Sequence, residues 1–165
     1  MRIAIVSDTH GHVRNTLQAV AQLNELQVDA VIHCGDIGSP TIVPLFAGWP
    51  VHFVLGNVDH DETALQWIIS EEGQTFHGRF ARITLEGKLI AVAHGDDADV
   101  LNDAINSGEY DLVCTGHTHQ RELRRVGRTI VLNPGALYRS SHKSFAVVDW
   151  PSGEVEFVEL LESSL

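Results

Sequence analysis

The sequence predicts an α/β protein with two mixed β-sheets packed face to face and flanked by helices. Three observations carry that reading. The first third alternates short runs rich in Ile and Val with segments of helical period. Hairpin-like strand pairs dominate after residue 80, and no repeat, low-complexity tract or linker interrupts the 165 residues. Early βαβ alternation implies parallel pairing and later hairpins imply antiparallel pairing, so one architecture must hold both. A single domain over residues 1–165 is expected, long enough to bury a substantial core.

"RIAIVS", Arg2 to Ser7, is a short apolar run of the kind a strand buried on both faces requires. "VRNTLQAVAQLNEL" follows, with Val13, Leu17, Val20, Ala21 and Leu23 at helical spacing, and predicts a helix. "DAVIHCGD" is a second buried strand, and "VHFVLGN" a third after a short helix around Thr41 to Ala47. "DETALQWIISEEG" reads as a helix whose acidic first turn suits the helix dipole. "FARITLEGKLIAVAHG" is a hairpin turning at Glu86-Gly87-Lys88. "DVLNDAINSG" is a short helix ending at Gly108, and "YDLVCTG" another buried strand. From Glu122 the chain is mostly strand: "ELRRV", "TIVLN", "SFAVVDW" and "EVEFVEL".

Apolar content of 44% and charged content of 20% suit a globular protein. A formal charge of −11 argues against nucleic acid as a partner, which needs a basic footprint. Cys34 and Cys114 form no CxxC and follow apolar runs, so they read as small buried hydrophobes in a reducing compartment. No apolar run reaches the length of about 20 residues that spans a membrane. "MRIAIVSDTHG" lacks a small-residue cleavage site and reads as a first strand instead of a signal peptide, so a cytoplasmic location is expected. Homo-oligomerisation is left open.

The strand ends carry the chemistry. They give "SDTHG" with Asp8 and His10, "CGD" with Asp36, "LGNVD" with Asn57 and Asp59, "AHGD" with His94, and "TGHTH" with His117 and His119. In α/β sheets ligands bind at the carboxyl ends of strands, so these side chains can converge in one crevice. His and Asp without thiolate suit Mn²⁺, Fe, Zn²⁺ or Ni²⁺ better than a soft metal.

The ordered set D-x-H, G-D, G-N-x-[DEH], a lone His before Gly, and G-H-x-H resembles the calcineurin-like metallophosphoesterases. Small size and "NPG" at Asn133 to Gly135 make the chain most similar to their compact YfcE-like phosphodiesterase branch. The resemblance implies a four-layer αββα fold and two divalent metals, Mn²⁺ foremost. Asp8, His10, Asp36 and His119 would hold the first ion. Asp36, Asn57, His94 and His117 would hold the second, with Asp36 giving one oxygen to each. Two such ions about 3.5–4 Å apart share a hydroxide and clamp an in-line displacement on phosphorus. The implied activity is hydrolysis of a small-molecule phosphodiester. The alternatives are a nuclease and a metal-bearing scaffold resembling a retromer subunit of the same fold.

Many relatives carry His directly after the block-three Asn, where it aids the leaving group; Val58 stands there in this chain. Besides Asn57, the candidate catalytic residues are therefore His12 and Asp59, the latter expected more as a hydrogen-bond partner of a ligand histidine. Arg139 and His142 occupy a loop from which they can reach a substrate. His33 reads as a core histidine, while His52, His60, His77 and His142 show no partner pattern. "RELRRVGR", Arg121 to Arg128, reads as a charged sheet edge.

Overall fold

A computed structural model describes residues 1–161. The first sheet has the order β11-β10-β1-β2-β3-β4. Its parallel centre is β1 (Arg2–Val6), β2 (Ala30–His33), β3 (Val51–Phe53) and β4 (Thr75–Phe76). On one side β10 (Ser144–Asp149) and β11 (Glu154–Glu159) add antiparallel strands. The second sheet has the order β5-β6-β7-β9-β8. Its parallel centre of β6 (Lys88–Ala93), β7 (Leu112–Cys114) and β9 (Thr129–Pro134) is edged by antiparallel β5 (Phe80–Leu85) and β8 (Arg121–Val126).

The period-2 alternation of each strand sorts its side chains into layers. Ile3 and Ile5 of β1 and Ile32 of β2 face Ile90, Val92, Leu112 and Leu132 of the second sheet. Ala4 and Val6 point the other way, against Ala19 and Leu23 of α1 (Val13–Leu26) and with Leu65 and Ile69 of α2 (Glu62–Glu71) in the same cluster. Ala91, Val113 and Val131 meet Ala104 and Ile105 of α3 (Ala98–Asn106) on the outer face of the second sheet. The result is the expected four layers, α-β-β-α. Cys34 and Cys114 lie buried between the sheets. No helix among the described residues is long and apolar enough to cross a membrane.

Most predicted elements form, with local differences. The hairpin turns at Glu86 and Gly87, both at positive φ (48° and 72°), as a two-residue turn matching strand twist requires. The expected helix around Thr41 to Ala47 is a 3-10 helix at Pro40–Phe46, because Pro44 in its interior lacks the N–H an α-helix needs. In α1 the expected apolar stripe is only partly buried: Leu23 is fully buried, but Val13 and Leu17 are 40% and 49% exposed. Asn15 and Gln22 are turned inward instead, donating to Leu137 O (2.7 Å) and Glu159 O (3.0 Å). Strand β4 has two residues, too short for any periodicity to announce. Its neighbour brings His77 Nε2 to 2.8 Å from His52 Nδ1, so these two histidines, read as unpartnered, are a pair.

His33 is fully buried beneath the strand ends. Its Nδ1 accepts the Gly35 N–H (3.2 Å), which leaves Nε2–H to donate to Thr9 Oγ1 (3.0 Å); that hydroxyl donates to Ile37 O (2.9 Å). Burial holds its pKa down at about 4 from 6.5, and the hydrogen bonds fit the neutral ring. The folded state thus binds the proton more weakly than the unfolded chain. His33 therefore contributes stability that is fully present above pH 6.5 and is lost as pH falls toward 4. That window is worth roughly 3 kcal/mol. Urea unfolding of chelated protein should show stability falling across it, and His33→Asn should show a shallower fall. Equal slopes would contradict this role.

Candidate metal centre

Each chemistry-bearing residue sits where a parallel strand ends. β1 delivers Asp8 and His10, β2 delivers Asp36, β3 delivers Asn57, β6 delivers His94, and β7 delivers His117 and His119. Two groups of donors result: Asp8, His10 and His119, and Asp36, His94 and His117. Asp8 Oδ1 lies 3.2 Å from His119 Nε2 and 3.5 Å from His10 Nε2, and those two nitrogens are 3.2 Å apart. Asp36 Oδ2 is 3.1 Å from His94 Nε2 and 3.6 Å from His10 Nε2, so it faces both groups. Asn57 Oδ1 is 3.1 Å from His117 Nδ1. Metal–ligand bonds of about 2.0–2.2 Å place neighbouring donor atoms about 3.0–3.5 Å apart. These separations fit the edges of a coordination shell.

The donor set also fits cations electronically. Among the described residues, Asp8 Oδ1 and His94 Nε2 are buried without a hydrogen-bond partner, a costly arrangement that a cation between them would remove. His94 Nδ1 lies 2.8 Å from Cys34 O and His119 Nδ1 3.1 Å from Arg139 O. A carbonyl only accepts, so each Nδ1 carries the proton and each neutral ring turns the Nε2 lone pair inward. Burial pushes the Asp36 carboxyl up, but a proton on His94 Nε2, in the place a cation would take, and the Val58 N–H outweigh it and hold the group at about 2. Burial likewise opposes ionisation of Asp8, and His10 and Ser7 overcome it. Both carboxylates are thus anionic at neutral pH.

Several expectations change. Asp36 does not offer one oxygen to each group: Oδ1 accepts the Val58 N–H (3.1 Å), and Oδ2 alone lies between the rings. Asp59 touches no ligand histidine through a hydrogen bond. Its carboxylate accepts three backbone N–H bonds, from Ile37 (3.1 Å), Gly38 (2.9 Å) and Gly56 (2.9 Å), tying the loop after β2 to the loop after β3. His12 caps α1, its Nδ1 accepting from Asn15 N (3.2 Å), and its ring stacks on Tyr138 with centroids 4.5 Å apart. Asn133 lies beneath the histidine loop, donating to Gly116 O (2.9 Å) and Thr118 Oγ1 (3.1 Å). Sequence reading missed Ser7, which donates to Asp8 Oδ2 (2.7 Å), and the Arg139 carbonyl. A backbone carbonyl carries no side-chain signal by which to find it.

The centre is strained and crowded. Asp8, His10, Asp36, His117 and His119, five of the seven candidate ligands, have φ between 45° and 70°. Each such conformation costs a non-glycine residue about 1–3 kcal/mol and persists only where surrounding structure enforces it. Glycine makes the crowding feasible: a Cβ on Gly56 would lie 2.1 Å from Asp36 Oδ1 and 2.4 Å from Asp36 N.

The family model of the calcineurin-like phosphoesterase superfamily domain matches residues 1–153, and the chain belongs to that superfamily. It is 34% identical over 138 residues to a phosphodiesterase of Methanocaldococcus jannaschii, covering 82% of this chain and 83% of that relative. A solved archaeal phosphodiesterase superposes with a TM-score of 0.88 at 31% identity, over 97% of this chain and 100% of that one. YfcE, a phosphoesterase from E. coli, shares the fold with a TM-score of 0.72 at 16% identity, over 98% and 100% of the two chains.

Two substitutions separate positioning from chemistry. Gly56→Ala should displace the Asp36 carboxylate and weaken Mn²⁺ binding by about 10–100-fold, measured by calorimetric titration. Asp59→Asn should lower unfolding free energy by about 2–3 kcal/mol in urea, because an amide turns a donor toward N–H groups that need an acceptor. A loss of turnover in Asp59→Asn with unchanged stability would restore Asp59 as a proton-transfer residue.

Proposed function

We propose that this chain is a metal-dependent phosphodiesterase acting on a small-molecule diester, with two divalent ions held by Asp8, His10, Asp36, Asn57, His94, His117 and His119. The observation that carries the reading is the pair of adjacent donor groups with Asp8 Oδ1 and His94 Nε2 buried and unpartnered among the described residues. The relatedness to phosphodiesterases supports it. Mn²⁺ is the ion proposed first; Fe, Zn²⁺ and Ni²⁺ suit the same donors. Bound there, the ions supply Lewis-acid activation of water and neutralise charge on the phosphate.

The chain's own residues do the rest. Asp36 Oδ2, between the two groups, sets their spacing, and the Val58 N–H fixes its carboxylate in rotation. His94 and His119 are oriented by Cys34 O and Arg139 O. Asn57, which is exposed and places Oδ1 3.1 Å from His117 Nδ1, would help hold an ion through that oxygen and could direct its amide N–H toward a phosphate oxygen. Val58 has no proton to give, and Asp59 is engaged with backbone amides. His12, the remaining candidate, is a neutral ring because Nδ1 accepts from Asn15; its Nε2–H can donate a hydrogen bond to a phosphate or ester oxygen but does not give up its proton to the leaving group. With so little acid assistance, diesters with good leaving groups, such as phenolates, should turn over faster than dialkyl esters. A metal-bearing scaffold would keep the same donor atoms, so turnover is what separates it from the enzyme.

The test is to strip the protein with chelator, restore Mn²⁺, and follow bis-p-nitrophenyl phosphate beside p-nitrophenyl phosphate. Diester hydrolysis should return with the metal, exceed that of the monoester, and fall at least about 100-fold in Asp36→Asn. No diester turnover by protein that has bound two ions would overturn the proposal.

A further inference from the structure

The two flanks of the metal centre differ in charge. On the His119 flank, cavities of about 410 Å³ and 650 Å³ share Ser141, His142 and Glu159, and so form one groove from His119 to the start of α1. Each lies in the size range of small-molecule sites. Among the described residues, the walls present His12, Arg121, His142 and Lys143 with one carboxylate, Glu159. Glu159 is already engaged, its Oε1 lying 2.5 Å from Arg121 Nη2 and 3.7 Å from His142 Nδ1. His12, stacked on Tyr138, keeps its Nε2–H as a donor because Nδ1 accepts from Asn15. On a chain of net charge −11, such a local excess of cationic and donor groups attracts an anion that the rest of the surface repels.

The opposite flank is built the other way. A cavity of about 330 Å³ beside His94 is lined by Asp96 and Asp97 and by Phe80 and Val100, which are 37% and 38% exposed. Its cation, Arg79, donates to Gly56 O (3.1 Å). An anionic arm is repelled there, and an uncharged apolar arm is accommodated.

We infer that the substrate is a phosphodiester bearing a second anionic group, a phosphate or carboxylate, on one ester arm. That group lies in the groove of His12, His142 and Lys143, and the apolar arm lies against Phe80 and Val100. The inference rests on the phosphodiesterase reading and adds the direction in which the diester is held.

Two p-nitrophenyl diesters with a common aryl arm test it, one with butyl and one with 3-carboxypropyl as the second arm. The wild-type chain should favour the carboxylate ester by about tenfold in kcat/KM, mainly through KM, as charge-assisted contacts of partly exposed cations provide. The preference should shrink as salt rises from about 0.05 M to about 1 M. It should vanish or reverse in Lys143→Glu combined with His142→Glu. Equal kcat/KM for the two esters, or a preference retained in the double variant, overturns the groove assignment while the phosphodiesterase reading stands. Turnover of neither ester by the Mn²⁺-loaded protein ends that reading and this inference together.

Discussion

The Asp59 carboxylate, buried between the loops after β2 and β3, fixes the spacing on which the metal centre depends. Its three bonds from Ile37, Gly38 and Gly56 N–H draw those loops together. The approach is so close that only glycine fits at residue 56, against the Asp36 carboxylate. Asp36 therefore cannot drift, and its Oδ2 stays between the two donor groups. The second sheet is joined to this frame through the same region: His94, after β6, reaches across to Cys34 O, after β2. The His117 N–H reaches Asp8 Oδ2 in the same manner (3.2 Å). The two sheets meet at the metal centre as well as through their apolar faces.

Folding this centre has an energetic cost that the sandwich offsets. Five candidate ligands take left-handed backbone conformations, and two of the centre's polar atoms are buried without partners among the described residues. Apolar burial between and outside the sheets supplies the stability that holds these strained loops in place. The charge distribution then has a consequence for recognition. Acidic groups at the centre suit cations, whereas the groove toward α1 suits an anion on the substrate.

The convergence of the strand ends was legible in the sequence because ligand-type side chains recurred beside glycines after successive Ile/Val-rich runs, and the carboxyl ends of such strands share one crevice. The α-β-β-α layering was legible for a related reason, since alternating parallel and hairpin signals leave few architectures. What was not legible depends on contacts between residues far apart in the chain. The inward side of α1 carries Asn15 and Gln22 beside the buried Ala19 and Leu23 because the two amides bond carbonyls more than 120 residues away. The His52–His77 pair depends on a two-residue strand. Asp59 looked like a partner for histidine, but its acceptors are filled by backbone amides, which no side-chain pattern advertises. The basic groove is assembled from the start of α1, the edge strand β8 and the loop after β9, and no one segment of sequence contains it.

The central claim is that donors from both sheets form two adjacent metal sites. Anomalous diffraction from crystals soaked in Mn²⁺ tests it most directly. The account predicts two peaks about 3.5–4 Å apart, one among Asp8, His10 and His119 and one among Asp36, His94 and His117. A single peak, or peaks away from these side chains, would contradict it.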